Sequence, residues 1–346
     1  NASPSPVHTT YSSLQIGGQG LIMSNTTAGT DKSLYISNNA FPNASDGNWD
    51  TIVAEESTLY EQHGGKHYFY VAPATSSAGD APSLSTKFVL DTNSKISLSN
   101  NGGEATNTIF GYQAGNSIHS SSGMNTFFGH QVADATMTAT ADENTAVGHL
   151  ALSGLTSGSQ NIAVGSYTGI NITSGGENVL IGRSAGNAFN SNQVTAIGTA
   201  SCASITSSNG DGTTAVGYYA LKSQTTGQQN TAIGSFSSDD ITSGSYNTAV
   251  GRSTLASLTT GSNNIALGRT ALSTASDDES YNIAIGVSAL GSAKQDGTAS
   301  ATNREVVHNI AIGNDALTGG TLTGTDHLEY NIAIGSNALN STGTND

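Results

Sequence analysis

Asn247-Thr248-Ala249-Val250-Gly251 stands midway between two near copies of itself. Asn230-Thr231-Ala232-Ile233-Gly234 precedes it and Asn264-Ile265-Ala266-Leu267-Gly268 follows it, both at the same offset. A motif returning at a fixed step identifies an array. Its glycine falls at Gly111, Gly129, Gly148, Gly165, Gly182, Gly198, Gly217, Gly234, Gly251, Gly268, Gly286, Gly313 and Gly335, which makes thirteen copies. The step is nearly constant until the last two, Gly286 to Gly313 and Gly313 to Gly335, which are longer. The residue before the glycine is always apolar, as at Ile233, Val250, Leu267 and Ile285. Four before the glycine stands Asn (Asn144, Asn161, Asn230, Asn247, Asn264 and Asn282 among others), except at Val194 and Thr213. An Ala-Leu or Thr-Leu pair often follows, as at Ala220-Leu221 and Thr254-Leu255, and a Thr-Gly or Ser-Gly turn closes the unit.

Each five-residue motif reads as a short strand, because β-branched residues suit a pleated surface and Asn and Gly bound the run. Alternation puts Thr248 and Val250 on one face and Asn247, Ala249 and Gly251 on the other. One unit of about 17 residues cannot bury a face alone, so stacking is required, as in solenoids. A coil enclosing little more than Ala and Gly would be thin. Several chains, three on this reading, are therefore expected to pack their Val/Ile faces around an axis. Thirteen strands at about 4.8 Å spacing give a rod on the order of 60 Å long. The longer steps carry polar insertions, Gly291 to Val307 and Thr318 to Glu329. These read as surface loops, either receptor-contacting or simply tolerated.

The composition fits a fibrous chain: of 346 residues 42 are Gly and only 10% are charged. The net charge of −15 and pI near 4.6, with ten scattered basic residues, argue against nucleic acid and against an anionic membrane surface as partners. The single cysteine, Cys202, permits no disulfide within the chain and reads as a small buried filler. There is no apolar run of membrane-spanning length and no signal peptide. The chain starts at Asn1 and not at Met, which points to a processed product or a segment of a longer one.

Three regions follow. Residues 1–14, with two prolines, read as a linker. Residues 15–104 read as a small N-terminal β domain, a sandwich or a roll shared in a trimer. Its strand signals are a Gly-Gly corner within Leu14 to Met23, the alternating Lys32 to Ser37, the run His67 to Ala72, and Lys87 to Leu90 followed by Lys95 to Leu98. Residues 105–346 are the repeat shaft.

The repeat of Asn-Thr-Ala-Ile-Gly followed by Ala-Leu and Thr-Thr-Gly resembles the arrays of bacteriophage tail fibres and related virion appendages. It is also similar to the head repeats of trimeric autotransporter adhesins, whose Asn-x-x-Ala-Ile-Gly units build a left-handed parallel β-roll trimer. Gly20 to Asn25, Lys32 to Ser37, His67 to Pro73 and Phe88 to Lys95 resemble modules that precede such arrays in tail fibres. The resemblance implies an all-β trimer at a virion or extracellular surface, in contact with other virion proteins and with a host-surface glycan or protein receptor. Many fibres of this kind end in a self-cleaving chaperone domain that is removed after assembly, so Asp346 reads either as a cleavage point or simply as the end of the segment.

The chemistry-bearing residues are sparse. His63 and His67 have metal-ligand spacing only on a helix, which Gly64-Gly65 oppose. Asp239-Asp240 and Asp277-Asp278-Glu279 are adjacent carboxylates that suit calcium or hydrolysis, or else solvated loops. The Asn column reads as an amide ladder or turn cap, with an ion-holding axis as the alternative. Tyr218, Tyr219, Tyr246 and Tyr281, beside repeat turns, are candidate glycan contacts, against the plainer reading that they cover the shaft edge. No nucleophile elbow, P-loop or Cys-x-x-Cys occurs, so no catalysis, cofactor or metal is assigned. The sequence reads as a structural fibre, a trimeric viral tail fibre for host attachment, with a bacterial trimeric adhesin or a polysaccharide-degrading tailspike as alternatives.

Overall fold

The structure, a computed structural model, describes residues 11–25, 33–42, 48–90, 96–98, 106–188, 190–205, 211–274, 279–291, 294–295, 306–319, 321–322 and 328–340. Among these every regular element is a β-strand, and no helix is long and apolar enough to cross a membrane. The chain divides into two compact units, Asn1–Gly103 and Glu104–Asp346.

The first unit is an antiparallel meander. Strands β1 (Tyr11–Ile16), β2 (Gly20–Asn25), β3 (Leu34–Asn38), β6 (Ser57–His63), β7 (Lys66–Ala72), β8 (Ser85–Leu90) and β9 (Ile96–Leu98) lie in that order, while β4 (Ala40–Pro42) and β5 (Trp49–Thr51) form a separate ribbon. The ribbon supplies Phe41 and Trp49 against Leu21, Met23 and Tyr35, which closes one face of the sheet. The other face carries Leu14, Ile22, Ile36, Tyr60, Phe69 and Phe88, each directly opposite the next across the strands. Leu14, Ile36 and Phe69 are exposed there. Two expectations are corrected. Residues 11–14, read as linker, belong to β1, because the Gly17-Gly18 corner turns them back onto β2. Among the described residues the strands make one seven-stranded sheet with a ribbon over it, not the two sheets of a sandwich.

The second unit is a parallel β-solenoid. Its thirteen three-residue strands, from Thr108–Phe110 to Ile332–Ile334, form one sheet in chain order, with every motif in register on the next. The strand pattern is uniform: Thr231, Thr248 and Ile265 lie at the surface, Ala232, Ala249 and Ala266 are buried, and Ile233, Val250 and Leu267 face out. The interior corrects a further expectation. It holds more than Ala and Gly, because fully buried Leu152, Leu155, Ile172, Leu221, Ile241 and Leu258 fill it from the opposite wall. The corner leucine, where present, and the apolar residue three further on thus form the second half of the core. Volume is balanced between turns. Phe127 and Leu180 replace the strand alanine, and beside them Gly115 and Gly169 replace the corner leucine. A Cβ on Gly115 would stand 3.2 Å from Phe127, and one on Gly169 would stand 2.9 Å from Leu180.

The corners are held by the same stacking. Three positions in each full turn have left-handed backbone, as at Tyr246 (φ 60°), Ser253 (φ 52°) and Leu255 (φ 51°). Such values cost non-glycine residues roughly 1–2 kcal/mol each. The offset is continuous backbone pairing outside the strands: Ser253 N donates to Ser235 O at 3.0 Å and Leu255 N to Ala271 O at 3.1 Å. The two long insertions also pair. Lys294–Gln295 runs parallel to Thr321–Leu322, and Val306–Val307 to Leu328–Glu329, so their described parts make short ladders. Arg304, Glu305 and Asp296, within those insertions, lie outside the described residues.

Candidate binding edge of the coil

The repeat glycines Gly148, Gly165, Gly234, Gly251, Gly268 and Gly286 have φ between +133° and +143°, a region that only glycine enters readily. A Cβ on Gly234 would also lie 2.3 Å from the carbonyl oxygen of Gly251. The residue after each glycine therefore leaves the strand at a sharp corner and points outward.

The Asn column lies inside the coil. Asn144, Asn161, Asn230, Asn247, Asn264 and Asn282 are at most 1% exposed. The backbone N–H of Asn247 donates to Asn230 Oδ1 at 2.9 Å, its Nδ2 donates to the same oxygen at 3.2 Å, and Nδ2 also donates to Gly261 O at 2.9 Å. Asn264 repeats this on Asn247 at 3.0 Å. This is the amide ladder, and it commits the amides to the chain itself. Where Thr213 interrupts it, buried Gln224 steps in from the leucine wall. It donates to Thr213 Oγ1 at 3.1 Å and Gly227 O at 2.7 Å, and accepts from Asn230 Nδ2 at 3.1 Å. No motif singles out Gln224; its signal is a polar residue at a position where Ile205, Ile241 and Leu258 stand in other turns.

Cys202 occupies the corner-leucine position and is fully buried, and burial pushes its thiol up to about 12. His63 and His67 do not meet a common ligand. His63 Nδ1 is 2.8 Å from Ser33 Oγ, and His67 Nδ1 is 2.5 Å from Tyr60 OH. His67, Tyr60, Phe69, Phe88 and Leu90 line an open cavity of about 430 Å³ on the apolar sheet face. No group of three metal-ligating side chains converges among the described residues. Asp239 has its carboxyl raised by burial and then by Asp240, with Lys222 opposing. Asp277 and Asp278 lie outside the described residues, and Glu279 is buried, its carbonyl accepting from Asn264 Nδ2 at 2.7 Å.

The aromatic residues fall into short ladders. Tyr281, His308 and Tyr330 stack with centroids 5.0 and 4.9 Å apart and planes within 12°. Tyr246 shares their column and is exposed. Tyr218 and Tyr219 sit 4.0 Å apart, both against Phe236, with Lys222 over Tyr219 at 5.1 Å. The Tyr218 hydroxyl is raised chiefly by its hydrogen bond with Tyr219, and the Arg183 charge acts in the opposite direction. A third ladder joins Tyr112, His130, His149 and Tyr167 at 5.2, 5.3 and 5.1 Å. Tyr112, His130, His149, Arg183, Tyr218, Arg252 and Arg269 each follow a repeat glycine directly, so all seven lie on one edge of the coil. The histidines and arginines belong to no motif, and only alignment on the glycine brings them together. Comparison with protein-family models, with curated proteins and with solved structures found no match. What the fold itself defines is a repeat protein of the parallel β-solenoid class.

Proposed function

We propose that this chain is a fibrous attachment protein, working as a homotrimer whose coil forms the shaft of a virion appendage of the tail-fibre kind and engages a host-surface receptor. The observation that carries this reading is the outer face of the thirteen-stranded sheet. Phe110, Phe128, Ile162, Ile181, Ile233 and Val250 project from it and are 36–56% exposed. A contiguous apolar stripe of this length is far more than scattered surface hydrophobics and marks an interaction face. Because every turn presents the same face, a second and third copy would find the same complement at every level. The first unit by itself leaves a comparable apolar row uncovered. The inward-directed amides, committed to the chain itself, favour a structural role for the Asn column. Light scattering tests the reading: a particle of three times 34.9 kDa is expected, and a stable monomer at micromolar concentration would sink it.

A further inference from the structure

We propose that the corner after the repeat glycine binds an extended acidic polysaccharide lying along the coil axis; this rests on the attachment reading and names its ligand class and its surface. The chain has ten basic residues against a net charge of −15. Between residues 106 and 291 only Arg183, Lys222, Arg252 and Arg269 are basic, and the three arginines all occupy this one column. No Asp or Glu occurs in the column in any of the thirteen turns. The three guanidinium groups are exposed, and among the described residues none is paired with a carboxylate.

Arg252 and Arg269 stand on adjacent turns, strand to strand. Like charges at neighbouring ladder positions are destabilising. An acid on a neighbouring corner would relieve them, and the chain carries sixteen acids between residues 106 and 346, all of them in other columns. The column itself therefore offers an acidic ligand three cations and no competing carboxylate. The rest of the column adds exposed rings: Tyr112 is 66% and Tyr218 45% exposed, and His130 continues the row. Tyr218 lies between Arg183 and Arg252, and the other rings lie together on the N-terminal side of Arg183. Cations and rings on one edge suit a polymer that carries carboxylate or sulfate groups on sugar rings with apolar faces.

Charge density decides between polyanions. Arg183 to Arg269 spans five strand steps, about 24 Å, so the three cations over that length stand at an average interval of roughly 12 Å. Duplex nucleic acid carries one charge per about 1.7 Å and would be repelled by the acidic remainder of the chain. An anionic membrane calls for clusters of about 4–8 basic residues. A polysaccharide with widely spaced acidic groups fits the sparse row.

The test is isothermal titration of the full chain with polygalacturonate, dextran sulfate, neutral dextran and single-stranded poly(dT). The intact protein is compared with Arg183→Ser/Arg252→Ser/Arg269→Ser, with Tyr218→Ala and with Lys222→Ser, and circular dichroism checks that each is folded. Acidic-polymer binding that weakens with salt, falls at least tenfold in the triple variant, falls less in Tyr218→Ala and persists in Lys222→Ser is the expected result. Acidic-polymer binding indifferent to the arginines, or binding of neutral dextran alone, overturns the edge while leaving the attachment reading in place. Equal binding of poly(dT) overturns the ligand class. Absence of binding to every polymer overturns the proposal, while the trimer mass reports separately on the attachment reading.

Discussion

Gly234 is constrained twice, by a φ of +138° and by the Gly251 carbonyl oxygen 2.3 Å from where a Cβ would stand. Gly234→Ala is therefore expected to cost about 3 kcal/mol or more in chemical denaturation; a loss under about 1 kcal/mol would show that the corner relaxes freely. Cys202 gives a pH signature. Its folded value is raised from the ordinary 9.0 to about 12 by burial, so the unfolded chain releases the thiol proton first as pH rises. Its contribution is intact below pH 9 and declines by up to about 1.4 kcal/mol per pH unit above it. Cys202→Ala should flatten that part of the stability profile, and an unchanged slope would count against the burial. Some of this scale is legible in the sequence. Alternation puts Ala249 inside and Val250 outside, and recurrence gives the amide ladder. The left-handed corners are not legible, because Tyr246, Ser253 and Leu255 have no local preference for positive φ; stacked backbone pairing imposes it.

At the scale of the strand and its corner, each turn is fitted to the next by complementary volumes and amides. The break at Thr213 is the clearest case. Gln224→Leu restores the apolar wall but strands Gly227 O and one hydrogen of Asn230 Nδ2, whose other hydrogen keeps Gly244 O, at an expected cost of about 1–3 kcal/mol. Adding Thr213→Asn should return at least half of that loss, since a new Oδ1 would face Asn230. A double-mutant cycle showing strict additivity would mean that the two sites are independent. The period of the array is readable, but its second wall is not. Leu221 and Leu255 sit outside any strand, where neither a two-residue nor a helical period applies, so the coil reads as thinner than it is. The insertions read as plain loops for a related reason: paired residues such as Val306 and Leu328 come from two different insertions and belong to no repeat.

For the whole molecule, the outward stripe and the interior are separable, because Ile233 and Val250 touch solvent while Ala232 and Ala249 make the core. Ile233→Ser/Val250→Ser should leave the thermal transition of an isolated chain within a few degrees yet weaken the proposed trimer, seen as a lower mass on dilution. A trimer of undiminished stability would move the interface elsewhere. The antiparallel sheet is recognisable from its alternating runs, whereas its bare apolar row emerges only once the register aligns Ile22, Ile36, Tyr60 and Phe69. The in-register stacking has a consequence for inheritance. Gly251 is fitted to Gly268, and Gly268 to Gly286, with no turn answering to a distant one. A gene that gained or lost one whole copy among the near-identical turns around Asn230 to Gly268 would still encode matched neighbours there. Such a lineage could retune its reach by whole turns, while its cross-section and its contacts stayed fixed.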